Sequence, residues 1–336
     1  MPTKRDVQGQ QATMKAVVRD TYGSADLLKS RDVERPTVAR DEVLVRVRAA
    51  GIDRGVWHVM TGRPYLIRLA GYGIRRPKTA TLGSELAGVV EVVGADVTGL
   101  APGDAVYGVG VGSLAEYASA RPDKLARMPA NLTYEQAAAV PVSGLTALQS
   151  LRDRGQIRKG QHVLIVGASG GVGTFAVQIA KAFGAEVTGV CATAKTELVR
   201  SIGADHIIDY SVGDIADANR SYDLVLDIGG NRSVAALRRV LTPKGTLVIV
   251  GGEGGGRWFG GIDRQLRAMA LSPFVGQRLG TFVATQDSTD LDTLRALIED
   301  GSVTPVIDRV CSLPEVPDAI RDLEAGRVRG KIVAAI

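Results

Sequence analysis

The stretch VLIVGASGGVG, Val163–Gly173, decides the fold. Four apolar residues, Val163–Val166, read as a buried strand that ends in a turn of small residues, Ala168-x-Gly170-x-x-Gly173. Val172, Phe175, Ala176, Ile179, Ala180 and Phe183 then recur at helical spacing and form one apolar helix face. The next apolar run, EVTGVC (186–191), supplies a second strand. Glycine lets a backbone turn tightly and approach a diphosphate with no Cβ in the way. The helix start presents free N–H groups and the positive end of its dipole to the anion. Such a turn by itself is a weak signal in a chain with 41 glycines, and its bland alternative is a turn with no ligand. Here the strand before, the helix after and the next strand are all in place, which is the confirming context. Gly167, Ala168, Ser169, Gly170, Gly171, Val172 and Gly173 are the expected phosphate-side contacts.

Working outward, the end of the second strand selects the nucleotide. An NAD site places an acid there, about 20 residues past the turn, to accept from the ribose 2′-hydroxyl. This chain reads Cys191-Ala192-Thr193-Ala194-Lys195, with no acid. Lys195 can pair with a 2′-phosphate and Thr193 can donate to it, so NADPH (NADP+) is the expected cofactor. The alternative for Lys195 is a solvated lysine at a helix start.

Further runs HIIDY (206–210), YDLVLDIGG (222–230) and TLVIVGG (246–252) alternate with helical stretches, the pitch of a doubly wound α/β domain with a parallel sheet, assigned to 131–276. Before it, KAVVR, EVLVRVRAAGI, LAGVVEVVG and DAVYGVG are short β-type runs separated by turns, a small antiparallel β domain over 14–130. After it, RLGTFVAT (278–285), a helix through LDTLRALIED and the strand KIVAAI return to the β-rich style, so 277–336 is expected to complete the first domain. The first 13 residues are polar and read as a mobile tail, not a signal peptide.

Composition narrows the function. At 336 residues the chain suits two ordinary domains, and 45% hydrophobic with 23% charged residues excludes a wholly disordered chain. The net charge of +5 is scattered along the sequence, and with 4% aromatic residues there is little stacking surface. A small anionic molecule is therefore expected, and no nucleic acid. Two cysteines, Cys191 and Cys311, exclude a disulfide framework and a four-cysteine zinc lobe, and they fit the cytoplasm. The longest uncharged run, His162–Ala180, carries four glycines, so no membrane segment is expected.

GASGGVG, together with LGSELAGVVEVVGADVTGLAPGDAVYG (82–108) and GADHIIDY (203–210), resembles the medium-chain dehydrogenase/reductase superfamily over residues 14–336. It is most similar to the zinc-independent quinone oxidoreductase branch. The resemblance implies a Rossmann domain flanked by a discontinuous GroES-like β domain, with the active site in the cleft between them. It further implies that Thr146, in GLTAL, lies by the nicotinamide and that Tyr210 packs by the adenosine 2′-phosphate. Gly251 and Gly252 would let backbone approach the cofactor, or else form an ordinary strand-end turn. His162 and His206, which flank buried strands, read as structural.

Zinc-dependent relatives place a Cys after Gly-Ile and a His in Gly-His-Glu. Here Asp53 follows Gly51-Ile52, and Ser84 stands in Gly83-Ser84-Glu85. A catalytic zinc needs three placed ligands plus an open position, so no metal is expected. An oxygen-rich set of Asp53, His58 and Glu85 is the minor alternative.

Without a Lewis acid, hydride transfer to a quinone or to an α,β-unsaturated carbonyl is the least demanding chemistry, since the enolate oxygen needs only donors and a proton. The substrate edge is GIDRGVWHVMTGRPYL (51–66). His58 and Tyr65 are the alternative donors, and each has a structural alternative. Zinc-independent relatives carry Asn at the position of Asp53; a carboxylate there accepts but does not donate, and pairing with Arg54 or Arg63 is one outlet. Trp258 and Phe259, in GGEGGGRWFGG (251–261), suggest a flap. Two other functions stay open: a metal-free alcohol dehydrogenase, or a catalytically silent NADPH-binding sensor. RLGTFVAT is a candidate edge strand for a homodimer.

Overall fold

The computed structural model describes residues 12–218, 220–230, 232–252 and 256–336. Among these, the strands of the first part are β1 (Thr13–Val18), β2 (Lys29–Glu34), β3 (Val43–Ile52), β4 (Glu85–Val93), β5 (Ala105–Val109), β6 (Tyr117–Ala120) and β7 (Leu125–Arg127). Then come β8 (His162–Val166), β9 (Glu186–Cys191), β10 (His206–Asp209), β11 (Tyr222–Asp227), β12 (Leu241–Ile249), β13 (Arg278–Thr281), β14 (Ile307–Ser312) and β15 (Lys331–Ala335). Residues 1–11 of the expected tail lie outside the described residues, and Thr13 already belongs to β1, paired with Glu34 of β2.

Six strands form one parallel sheet in the order β10-β9-β8-β11-β12-β13. With β8 as the first strand this is the doubly wound order, whose switch point lies between β8 and β11. A second sheet runs β14-β15-β3-β4-β5-β7, with β6 also on β3. Within it β15 lies antiparallel to β3, so the chain's last strand closes a sheet begun almost 300 residues earlier. The fold is an α/β Rossmann domain with a separate, discontinuous GroES-like β domain.

The expected boundary at 277 is corrected. β13, within RLGTFVAT, hydrogen-bonds in parallel to β12, with Leu279 opposite Leu247, and belongs to the nucleotide sheet. Its short apolar run reads equally well as an antiparallel strand, because four residues carry no information about which sheet they join. The sheet ends at β13, as the edge-strand reading expects.

Helix Gly171–Ala182 departs from a simple amphipathic helix: all eight residues from Gly173 to Ala180 are buried. One side packs on β8 and β9 and the other meets helix Pro141–Gln149. Its polar members are satisfied internally. Thr174 Oγ1 donates to the Gly171 carbonyl, and Gln178 both donates to the carbonyl of Thr304 and accepts from its N–H.

Close packing at the start of this helix leaves no room at Gly173, where a Cβ would sit 2.1 Å from the Gly167 carbonyl oxygen. Gly173→Ala is therefore expected to destabilise the protein by about 1–3 kcal/mol, read by urea denaturation. A loss below 0.5 kcal/mol would contradict this packing.

Candidate active site

A cavity of about 720 Å³ opens between the two domains at the carboxyl ends of β8 and β9. Its floor on one side is the turn Gly167–Val172, where Gly167 takes φ +90° and helix Gly171–Ala182 begins. The first N–H groups of a helix have no acceptor within it, and at Gly170 a Cβ would meet nothing closer than 3.6 Å. At Gly171 the same atom would crowd Lys331 Cδ and Ser143 Oγ. The turn thus offers an open cradle of backbone donors, which fits a diphosphate.

One end of the cavity is cationic. Lys195 lines it, and its ammonium donates to the carbonyls of Gly326 (3.0 Å) and Val328 (2.7 Å), in the loop before β15. Burial holds the Lys195 amine below its ordinary range, with nearby Arg329 adding to the effect. Two of the three ammonium donors are thereby engaged across the cleft. Arg232 also lines the cavity and pairs with Asp214 at 2.7 Å. Tyr210 lies on the wall. Thr193 lies beside the Asp209 carboxylate and helps hold that group below the usual carboxylate range. Sequence spacing placed no acid near Thr193, because Asp209 arrives from the neighbouring strand β10.

The other end is built by Asp53, Val142, Ser143 and Lys331. Asp53 is 8% exposed. It caps helix Arg54–Thr61, its Oδ1 accepting from Val56 N at 2.9 Å, while its buried Oδ2 has no partner. It pairs with neither Arg54 nor Arg63. Beneath it lies an ion pair that the sequence did not reveal. Lys331 Nζ, 2% exposed, donates to Oε2 of the fully buried Glu85, whose Oε1 accepts from Val142 N at 2.8 Å. Burial pushes the Glu85 carboxyl up from 4.5 to about 7; Lys331 opposes this and the negative charge of Asp53 adds to it. A lysine directly before the apolar run IVAAI was the available signal, but spacing says nothing about a partner 246 residues away.

The remaining predicted residues fall outside the cavity lining. His58, on helix Arg54–Thr61, places Nδ1 2.7 Å from the Arg63 carbonyl oxygen and packs edge-on to Trp57. Tyr65 is held by its N–H on the Arg257 carbonyl (2.9 Å) and by an edge contact with Trp258 at 5.1 Å. Trp258 and Phe259 sit on the short exposed helix Gly256–Phe259, so this helix docks on the expected substrate edge. Glu253–Gly255 of the expected flap lie outside the described residues. Thr146 donates to the Val142 carbonyl at 2.6 Å, one turn along from the lining. Ala168 and Gly173 are buried behind the turn. Gly251 answers to packing: a Cβ there would lie 1.9 Å from the Ile228 carbonyl oxygen. At Gly252 it would lie 2.4 Å from the Gly260 carbonyl oxygen, so packing by itself calls for glycine at both positions. The ring of His206 contacts Glu186 at 2.8 Å, and that of His162 lies 3.3 Å from the same carboxylate, in keeping with structural roles.

Residues 39–130 match the alcohol dehydrogenase GroES-like domain family, and 202–333 match the zinc-binding dehydrogenase family. Along nearly its whole length the chain is similar to mouse NAD(P)H oxidoreductase RTN4IP1, mitochondrial, with 32% identity over 96% of this chain and 89% of the relative. The chain belongs to the medium-chain dehydrogenase/reductase superfamily, in its quinone oxidoreductase-like branch. A tomato 2-methylene-furan-3-one reductase is 34% identical over 95% of this chain and 78% of its own. Among solved structures, the quinone oxidoreductase of Coxiella burnetii superposes with a TM-score of 0.85 at 26% identity, covering 97% of this chain and 100% of that one. As a member of this superfamily, the protein is an oxidoreductase. Among the described residues no helix is long and apolar enough to cross a membrane.

Breaking the buried pair is expected to be costly. Lys331→Met should destabilise the fold by about 3–5 kcal/mol, because Glu85 is left uncompensated, and Glu85→Gln/Lys331→Met should recover most of that in chemical denaturation. The sign with pH is also defined. The native state keeps the Glu85 proton above the pH at which the unfolded chain loses it. This group's contribution to stability therefore falls as pH rises from about 4.5 to about 7. The double variant should lack that component.

Proposed function

We propose that this protein transfers hydride from NADPH to a quinone or an α,β-unsaturated carbonyl, without a catalytic metal. The observation that carries the reading is the interdomain cavity, which runs from the diphosphate cradle to the Asp53–Lys331 end. The backbone of Gly167–Val172 would hold the diphosphate. Lys195, with one donor left, and Arg232 would hold a 2′-phosphate, and this cationic end favours NADPH over NADH. The bound dinucleotide supplies the hydride. The chain supplies position and donors, which together account for most of the rate such reactions need.

The metal-free reading is supported by donor chemistry. Among the described residues, no three His, Cys, Asp or Glu side chains come close enough to share a metal ion. Both oxygens of Glu85 already serve Lys331 and Val142. For the proton to the enolate oxygen, His58 would use Nε2 while Nδ1 faces the Arg63 carbonyl, and Tyr65 would offer its hydroxyl from the segment after the helix. The acceptor classes match those in the names of the tomato and Coxiella relatives. The unpaired edge of β13, beside exposed Phe274 and Val283, is proposed to join a second copy. The two buried free thiols fit the cytoplasm, while the mouse relative carries a mitochondrial name.

Titration of the purified protein with NADPH and NADH, followed by 1,4-quinones and short enones, tests the reading. Binding of NADPH and its acceptor-dependent oxidation are expected. Lys195→Ala should weaken NADPH at least tenfold more than NADH, and His58→Ala or Tyr65→Phe should lower kcat by roughly 10²-fold, identifying the donor. Binding without oxidation of NADPH by any acceptor would favour the silent sensor, and no nucleotide binding would sink the proposal.

A further inference from the structure

Among the described residues that line the cavity Asp53 is the only acid, alongside the cations Arg54, Lys195, Arg232 and Lys331. Each of these cations is already answered. Lys195 rests on two carbonyls, Arg232 on Asp214 and Lys331 on Glu85; Arg54 reaches the Leu323 carbonyl and lies over the Trp57 ring. Asp53 differs, because only its Oδ1 is used, for the helix cap, and its buried Oδ2 is unpartnered. A buried carboxylate oxygen with no hydrogen-bond partner carries a cost that the helix cap on Oδ1 does not remove.

Position suggests what offsets the cost. With the diphosphate at the helix start and the 2′-phosphate end at Lys195, the other half of a dinucleotide has only the Asp53 end of the cavity to occupy. That half contains the ring whose charge changes in the reaction, neutral when reduced and cationic after giving up hydride with its electron pair. We propose that Asp53 is an electrostatic specificity residue: its uncompensated charge favours the oxidised, cationic cofactor over the reduced one and so makes the bound reduced form a stronger hydride donor. The inference rests on the nucleotide-dependent function proposed above. The Glu85–Lys331 pair, neutral as a unit, supports Asp53 from beneath and adds no net charge of its own.

The test is a comparison of dissociation constants for NADP+ and NADPH at pH 8, without acceptor, in the wild type and in Asp53→Asn. Asparagine keeps the Oδ1 cap on Val56, so the variant changes charge with little change in shape. Unit charges about 10 Å apart under an effective dielectric of about 20 couple by roughly tenfold in affinity. Asp53→Asn should therefore raise the ratio Kd(NADP+)/Kd(NADPH) by roughly tenfold, equivalent to about 30 mV for a two-electron couple. Glu85→Gln/Lys331→Met should change both constants by a common factor and leave the ratio within twofold. If both forms bind Asp53→Asn with the wild-type ratio, or if the double variant shifts the ratio as much, the inference is overturned and the proposed function stands. If the wild type binds neither nucleotide, both fail.

Discussion

Glu85 is the residue on which the geometry of this molecule turns. It sits on β4, in the first part of the chain, with its carboxylate out of reach of water. One oxygen takes the ammonium of Lys331 at the start of the last strand, and the other takes the N–H of Val142, which opens the passage into the nucleotide domain. Three segments separated by 57 and 246 residues are thus pinned to one side chain. Desolvating a carboxylate is costly, and only a complete set of partners offsets it. The arrangement is therefore all or nothing: β3, β4 and β15 must be in register for Glu85 to be satisfied at all. Gly51 shows how tightly the carboxylate is enclosed, since a Cβ there would lie 2.4 Å from Glu85 Oε2.

The cavity inherits its charge pattern from this junction. Lys331 comes from the β domain yet lies against Gly171 of the nucleotide turn, so the pair fixes the distance between the two domains where they meet. A second tie is made by the Gly330 N–H on the Ser169 carbonyl at 2.9 Å, and a third by Lys195 on the carbonyls of Gly326 and Val328. All three ties come from the last eleven residues of the chain. The result is a cleft lined by several cations and, among the described residues, by a single carboxylate with one oxygen unpartnered.

The glycine-rich turn Gly167–Gly173 was legible in the sequence because its requirements are local. Gly167 needs a positive φ, Gly173 needs the space a side chain would fill, and the helix that follows announces itself by apolar spacing. The pairing of Glu85 with Lys331 was not legible, since neither residue carries a local mark of its partner. The nearness of Thr193 to Asp209 is hidden for the same reason: Asp209 lies on β10, and proximity across a parallel sheet is invisible to spacing along the chain. At Gly251 and Gly252 the sequence does not show the close approach of Ile228 and Gly260, which calls for glycine at both positions. Asp53 was noticed as a departure from the family's Asn, but only the structure showed its second oxygen buried and unpartnered.

By itself, the sequence determined the doubly wound domain, its glycine-rich turn, the presence of a β domain beside it, and the superfamily. The fold features follow from periodicity and from glycines whose conformations are set within a few residues, whereas the superfamily rests on the resemblance of whole motifs. Tertiary structure alone decided that β13 joins the nucleotide sheet, that Lys331 reaches Glu85, that Lys195 spans the cleft, and that one carboxylate in the cavity lacks a cation. Those outcomes depend on which distant groups share a water-free space, where an ionised side chain has to find a partner or go without, and that choice is made only when the chain has closed on itself.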